Sequence, residues 1–208
     1  MAAEVFSEIA GNYDRINAVL SLGQDKRWRE KVVAKLPPGR ILDLGAGTGA
    51  ANPLFSKRVV VALDPAPEML ALNAAVHRVV AYGERLPFAD EAFDAVFSAF
   101  VIRNLESVPE AVKEIARVLK PGGAAGIVDL GRPRNSAAAA VHRAGSAITL
   151  HTVGFLSRSP AEYAYLHRSL DKLPHPEVLY SDLALEVEDV WRMGPLGFVY
   201  GVILRKSR

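Results

Sequence analysis

The feature that most constrains this chain is an alternation. Five short, almost wholly apolar runs occupy 40–44 (RILDL), 58–63 (RVVVAL), 77–81 (HRVVA), 93–98 (FDAVFS) and 126–130 (GIVDL). Runs of that length, bounded by turn residues, read as buried strands. Between them lie stretches with helical spacing, at 53–57, 67–75 and 108–119. The last is the clearest, with Val108, Val112, Ile115, Ala116 and Leu119 on one side and Lys120-Pro121-Gly122-Gly123 as its stop. Strands buried on both faces and joined by helices form a parallel sheet with helices packed on either side. An antiparallel sandwich or a helix bundle cannot satisfy this order.

Both ends of the chain depart from the alternation. Apolar residues at Val5, Ile9, Ile16, Val19 and Leu20 predict a helix over 5–22, and Trp28, Val32, Val33 and Leu36 predict another over 25–36. The cations Lys26, Arg27, Arg29 and Lys31 read as its solvated face. From 132 to about 165 the pattern is Ala-rich with scattered Arg and His, which reads as an inserted helical cap. Runs at 186–192 and 198–205 are joined by a short link around Met193-Gly194-Pro195. So short a link makes an antiparallel hairpin, not a crossover. The expected fold is therefore α/β: a doubly wound, mostly parallel seven-stranded sheet with an antiparallel last strand. It forms one domain over 1–208, divided into an N-terminal helical lid (1–38), a core (39–131), a cap (132–174) and C-terminal strands (175–208).

Composition narrows the function classes. The chain has 208 residues, half of them hydrophobic, and no Cys, so disulfide, thiolate–zinc and Cys-nucleophile chemistry are excluded. No metal site is expected. The net charge of +2 argues against a nucleic-acid partner. There is no apolar run of the ~18 residues a membrane span needs, and the N-terminal residues lack a signal-peptide pattern. A cytoplasmic location is expected.

The sharpest local signal is Leu42-Asp43-Leu44-Gly45-Ala46-Gly47-Thr48-Gly49, where the first strand hands over to a helix. Glycines there allow a sharp bend and close approach of a ligand. Their spacing is not that of a dinucleotide fingerprint, since Ala50 stands in place of its third glycine. Asp43 would repel a pyrophosphate and attract a cation. A second acid, Asp64, ends the second strand ahead of Pro65, where a carboxylate can accept both ribose hydroxyls. A ribonucleoside bearing positive charge fits both acids, and S-adenosylmethionine is such a molecule. The loop, Asp64 and the strand alternation together resemble a class I methyltransferase. That resemblance implies that Asp43, Gly45, Ala46, Gly47, Thr48 and Gly49 face the methionine part and Asp64 the ribose, that Met69 packs on adenine, and that Gly83 and Glu84, after the third strand, flank the adenine edge.

A narrower resemblance, to the C-methyltransferases of ubiquinone and menaquinone biosynthesis, spans nearly the whole chain. It rests on Tyr13, Asp14, Asn17, Ser21, Gly23 and Trp28 near the N-terminus, on GERLPFADEAFD after the third strand, and on Ile102-Arg103-Asn104 after the fourth. RVLKPGG and the Tyr163…Pro174 segment add less specific matches. The chain has Asp25 where the family usually has His, Val101 where it usually has Gly, Tyr82 where it usually has Asn or Asp, and Ala50 where it often has Asp.

The resemblance implies methyl transfer to a carbon of a reduced, lipophilic hydroquinone. The acceptor carbon becomes nucleophilic as a neighbouring hydroxyl ionises. Arg103 is expected to stabilise the phenolate, Asn104 to orient it, Tyr13 to reach it from the lid, and Asp129 to relay protons. His142 and His151 in the cap are further candidate bases. Apolar cap residues such as Val141, Ile148 and Phe155 line either a groove for a prenyl tail or the cap's own core. Contact with a membrane surface and a homodimer both remain open. So do two other readings: a methyltransferase for another small molecule, and a non-catalytic S-adenosylmethionine-binding protein.

Overall fold

Each apolar run becomes a strand because its side chains find helices or further strands on both sides. The computed structural model describes residues 21, 23–145 and 173–208. In chain order, the elements that frame the site are α1 (Asp25–Val33), β1 (Arg40–Leu44), β2 (Val59–Asp64), α2 (Pro67–Ala71), β3 (His77–Val80), β4 (Phe93–Ala99), α3 (Val108–Val118) and β5 (Leu119–Leu130). After a helix at 136–145 (α4) come α5 (Pro176–Leu179), β6 (Glu186–Met193) and β7 (Val199–Arg205). The seven strands form one sheet in the order β3-β2-β1-β4-β5-β7-β6. Strands β1 to β5 pair in parallel, and β7 runs antiparallel to both β5 and β6. The expected hairpin and antiparallel last strand are both present.

The chain winds outward from β1 through β2 to β3, then returns to place β4 on the other side of β1. That reversal opens a crevice at the carboxyl ends of β1 and β4, where open α/β sheets bind ligands. Two apolar cores flank the sheet. One joins α1 (Trp28, Val32, Val33) to Ile41, Phe97, Val128 and Ile203. The other joins α3 (Val112, Ile115, Val118) to Leu42, Leu44, Ile127, Tyr180 and Tyr200. Side chains alternate between faces along a strand. Asp43, between Leu42 and Leu44, is therefore on the α1 face. Asp129, two residues beyond Ile127, is on the α3 face.

Several boundaries differ from expectation, each for a local reason. The stop expected at 120–123 lies inside β5, as an irregularity: pairing with β4 jumps from Phe93↔Leu119 to Ala95↔Ala124. Backbone bonds between Gly122, Gly123 and Lys206 hold it. The helix expected over 67–75 ends at Ala71. There Asn73 turns its side chain inward, and its Oδ1 accepts from Ala75 N at 2.9 Å. The stretch at 53–57 is a 3₁₀ turn, Asn52–Phe55. The 5–22 helix, and the cap beyond α4, lie outside the described residues.

Candidate active site

The glycine loop leaves β1 by three residues in the left-handed region: Gly45 (φ 70°), Gly47 (φ 50°) and Gly49 (φ 89°). A side chain would be strained at each, and at Gly45 and Gly49 there is no room for one. A Cβ on Gly45 would overlap Val101 Cγ2, and one on Gly49 would overlap Asn52 and Asn73. The loop is tied to β2 by Gly45 N and Ala46 N, which both donate to Leu63 O (2.8 and 2.9 Å). Asn73 braces it from α2, donating from Nδ2 to Gly47 O at 3.0 Å and accepting at Oδ1 from Asn52 Nδ2 at 2.8 Å. Met69 is buried with its Cε 3.2 Å from the position of a Cβ on Gly47, so the expected adenine-packing residue does border the loop.

Two buried acids meet here. Asp64 accepts from Gly47 N and Ala66 N, both at 2.9 Å. Burial raises its pKa against those two bonds. Asp43 is 2% exposed, and its Oδ2 has no hydrogen-bond partner among the described residues. Burial pushes its carboxyl up to about 7; the Arg29 guanidinium opposes the rise and the Asp64 charge adds to it. A buried carboxylate short of a partner is costly, and a cation at hydrogen-bond distance removes that cost. The donor set therefore fits the cationic methionine end of S-adenosylmethionine.

Gly83 is buried, and a Cβ on it would meet Leu105 and Leu44. Glu84 turns its carboxylate to the backbone instead, accepting from Glu106 N (2.8 Å) and Ser107 N (3.5 Å), so it couples the loop after β3 to the start of α3. Ala46 is buried, and Thr48 and Pro65 are half-buried in the same loops.

After β4 the chain makes a second constrained turn. Phe100 has φ 64°, rare for a bulky residue. Its N donates to Val128 O at 2.8 Å, its carbonyl accepts from Asn104 Nδ2 at 3.2 Å, and Arg29 lies over its ring at 5.1 Å. The turn continues into a 3₁₀ helix, Ile102–Asn104, that carries Arg103 inward. Arg103 is 6% exposed and paired with the fully buried Asp129. Its backbone N also reaches Asp129 Oδ2 (3.4 Å), and Leu130 N donates to Oδ1 (2.7 Å). Arg103 Nε is buried without a hydrogen-bond partner among the described residues. With both oxygens engaged and no exposure, Asp129 acts as an anchor for Arg103; the geometry does not favour the proton relay expected from sequence. Val101 packs on Gly45, so the two turns touch.

Some expectations change. Arg29 is 6% exposed and so is not on the solvated helix face: it is ion-paired with Asp25 one turn earlier and covered by Phe100. The Asp25 departure, four residues before a basic residue on one helix, was the signal for that pair. His142 stacks on Phe198 at 4.9 Å, and its Nδ1 lies 3.3 Å from Arg132 Nη1. A guanidinium only donates, so this nitrogen is an acceptor and its lone pair is engaged. Tyr13 and His151 lie outside the described residues. Asn73 and Phe100 were missed; nothing in their sequence context separates them from ordinary turn and core residues.

Comparison with known proteins agrees with this geometry. The model of the ubiE/COQ5 methyltransferase family matches residues 1–185. The demethylmenaquinone methyltransferase of Mycolicibacterium paratuberculosis is 37% identical over 190 residues, covering 88% of this chain and 83% of that protein. The enzyme of the same name from Thermus thermophilus is 37% identical over 196 residues, covering 86% and 89%. Among solved structures, a putative methyltransferase of Haloferax volcanii bound to its Trm112 activator superposes with a TM-score of 0.70 (18% identity, 98% of each chain). A SAM-dependent methyltransferase of Thermotoga maritima gives 0.63 (21% identity, 100% of each chain). At such identities these structures speak for the fold alone.

Proposed function

The chain belongs to the ubiE/COQ5 methyltransferase family and is an S-adenosylmethionine-dependent methyltransferase; from that premise we propose that it methylates a ring carbon of a reduced, prenylated quinone precursor, demethylmenaquinol first among them. The observation that carries this reading is the buried Arg103–Asp129 pair on the turn whose Val101, two residues before Arg103, packs on Gly45 of the glycine loop.

S-adenosylmethionine supplies a methyl group on a cationic sulfur. Asp43 and Asp64 bind the cationic end and the ribose, and the glycine backbone admits them closely. Arg103 keeps its charge at any working pH and therefore serves as a donor, not a base. Held by Asp129, it offers a guanidinium N–H to the substrate hydroxyl and stabilises the phenolate, which activates the adjacent ring carbon; the hydroxyl proton, and the ring-carbon proton displaced by the methyl group, pass to water. Asn104, fixed by Phe100 O, orients the same oxygen. Tyr13, outside the described residues, keeps the acceptor-side role that the resemblance implies. A prenylated acceptor brings the enzyme to a membrane surface, and the exposed cations Lys26, Arg27 and Lys31 of α1 suit anionic headgroups. No described helix is long and apolar enough to cross a membrane.

The test is transfer of a labelled methyl group to demethylmenaquinol under reducing conditions. The expected product carries one label on carbon. Absence of transfer to this and to ubiquinone precursors would sink the quinone reading. Cofactor binding with no acceptor at all would leave a binding protein.

A further inference from the structure

Asn104 owes its place to a neighbour that is itself held under strain. Its Nδ2 donates to the carbonyl of Phe100 at 3.2 Å. Phe100 has φ 64°, a conformation that costs a bulky residue and persists only where its surroundings enforce it. The amide side of Phe100 is pinned by the bond from its N to Val128 O at 2.8 Å. Rotation about φ therefore moves the other side, the carbonyl that Asn104 uses. Relaxation to a negative φ would carry that oxygen away from the Asn104 amide.

The restraint on the Phe100 ring comes from α1. The Arg29 guanidinium lies over the ring at 5.1 Å, within reach of a cation–π attraction. Arg29 is 6% exposed and Phe100 packs against the α1 core, so water does little to weaken that attraction. Arg29 is held in turn by its ion pair with Asp25 Oδ2, while Asp25 Oδ1 accepts from Ser21 Oγ at 3.1 Å. Asp25 is the position where the resembled family usually has His, and an imidazole would not supply this anion. Each link from Ser21 to Asn104 is thus a direct contact between neighbouring groups.

We infer that Asp25, Arg29 and Phe100 are positioning residues for methyl transfer: the Asp25–Arg29 pair clamps the Phe100 ring, the clamped ring keeps the turn after β4 in its left-handed form, and that turn holds the Asn104 amide where it meets the acceptor oxygen. They act through Asn104 and not on a reacting atom. The clamp also joins α1 to the acceptor side of the crevice. The Arg29 charge bears on Asp43 as well, so the variants of Phe100, which leave both charges in place, carry the main test.

This inference rests on the proposed role of Asn104, so its test has one arm with an acceptor and one without. With demethylmenaquinol and saturating S-adenosylmethionine, Phe100→Leu should lower kcat about 5–20-fold and leave KM for the acceptor within about threefold. Phe100→Gly should lose less than Phe100→Leu, since glycine keeps a left-handed φ without a clamp. A ring that served only as packing predicts the reverse order. Arg29→Gln should cost about as much as Phe100→Leu, and the double variant no more than either single one. Asp25→Asn should cost about 2–5-fold. Without acceptor, the nitrogen-15 resonance of the Asn104 side-chain amide should shift in the same direction in Phe100→Leu and in Arg29→Gln, and less in Phe100→Gly. An unmoved resonance, a greater loss in Phe100→Gly than in Phe100→Leu, or losses that multiply in the double variant would overturn the inference. Failure of the wild-type protein to methylate any quinol would instead defeat the proposed function and leave the resonance arm standing.

Discussion

The two turns that meet at the crevice solve opposite electrostatic problems. At the end of β1, two buried acids stand close together, and Asp43 has an oxygen that no donor among the described residues satisfies. At the ends of β4 and β5, Asp129 is matched by Arg103, and the atom left unsatisfied among the described residues is a donor, Arg103 Nε. The first region is short of a cation and the second is short of an acceptor. Alternation along the strands sends the two aspartates to opposite faces of the sheet, so each builds its own field in its own core. The difference teaches how one sheet edge holds a cationic cofactor beside an acceptor that must become anionic. Each site is incomplete in the sign that its ligand brings.

The largest test of that contrast removes the donor side. Arg103→Met keeps the bulk and deletes the charge. It should cut kcat by about 10²–10³-fold, the range for losing an oxyanion donor. Affinity for S-adenosylmethionine, measured by calorimetry, should change less than threefold. A comparable loss of cofactor affinity would show that the two regions are not separate in function. Arg103→Lys should recover little, since a point charge cannot keep the fork on Asp129 while also addressing the substrate.

Removing the acceptor side should have the reverse signature. Asp43→Asn should weaken S-adenosylmethionine about 30-fold, which corresponds to about 2 kcal/mol for a lost charged hydrogen bond. The same variant should stabilise the free protein at pH 8. Asp43 titrates near 7 in the fold, above its ordinary 3.8. A raised acid favours folding below the lower value and loses that contribution as pH climbs through the higher one. At pH 8 the wild type therefore carries nearly the full penalty, about 4 kcal/mol for a rise from 3.8 to about 7. Asparagine removes it, and thermal unfolding should report a higher Tm.

How much of this contrast was legible in the sequence differs between the two halves. The cofactor half was nearly complete. Glycines at fixed spacing after a strand, with an acid at the end of the next, are local in the chain, and local patterns survive in sequence. Missing was Asn73, whose side chain braces Gly47 from 26 residues away. The acceptor half gave up its residue types but not their partnerships. Arg103 and Asp129 were each singled out, yet their pairing depends on β4 and β5 being neighbours. Arg29 was misassigned because charge in a helix reads as exposure unless its partner, Asp25, is read with it.

A third test uses pH to separate the halves without mutation. Binding of a cation at Asp43 needs the carboxylate. Below about pH 7 the free protein must release a proton to bind, so affinity for S-adenosylmethionine should fall by up to tenfold per pH unit between 7 and 5. It should level off above about pH 7.5 as far as Asp43 is concerned, and Asp43→Asn should flatten the slope. A wild-type profile with no slope between pH 5 and 7 would remove Asp43 from the cationic end of the site.

The smallest effect expected belongs to the residue that only braces. Asn73→Ala deletes three bonds at once: its own donation to Gly47 O and the two that its oxygen accepts, from Asn52 Nδ2 and Ala75 N. The last of these also ends α2, so part of the loss falls on stability, about 1–2 kcal/mol at the usual worth of buried hydrogen bonds less local relaxation. The glycine loop keeps its anchors to Leu63 O and Asp64, which hold Gly45, Ala46 and Gly47 from the β2 side. Loss of the α2 brace should therefore loosen Gly47 without dismantling the loop, and weaken S-adenosylmethionine only about three- to fivefold. Because Asn73 is uncharged, that loss should be the same at pH 6 and pH 8. A pH-dependent loss would mean that the brace acts through the ionisation of Asp43 and Asp64, and the line between shaping the loop and charging it would have to be redrawn.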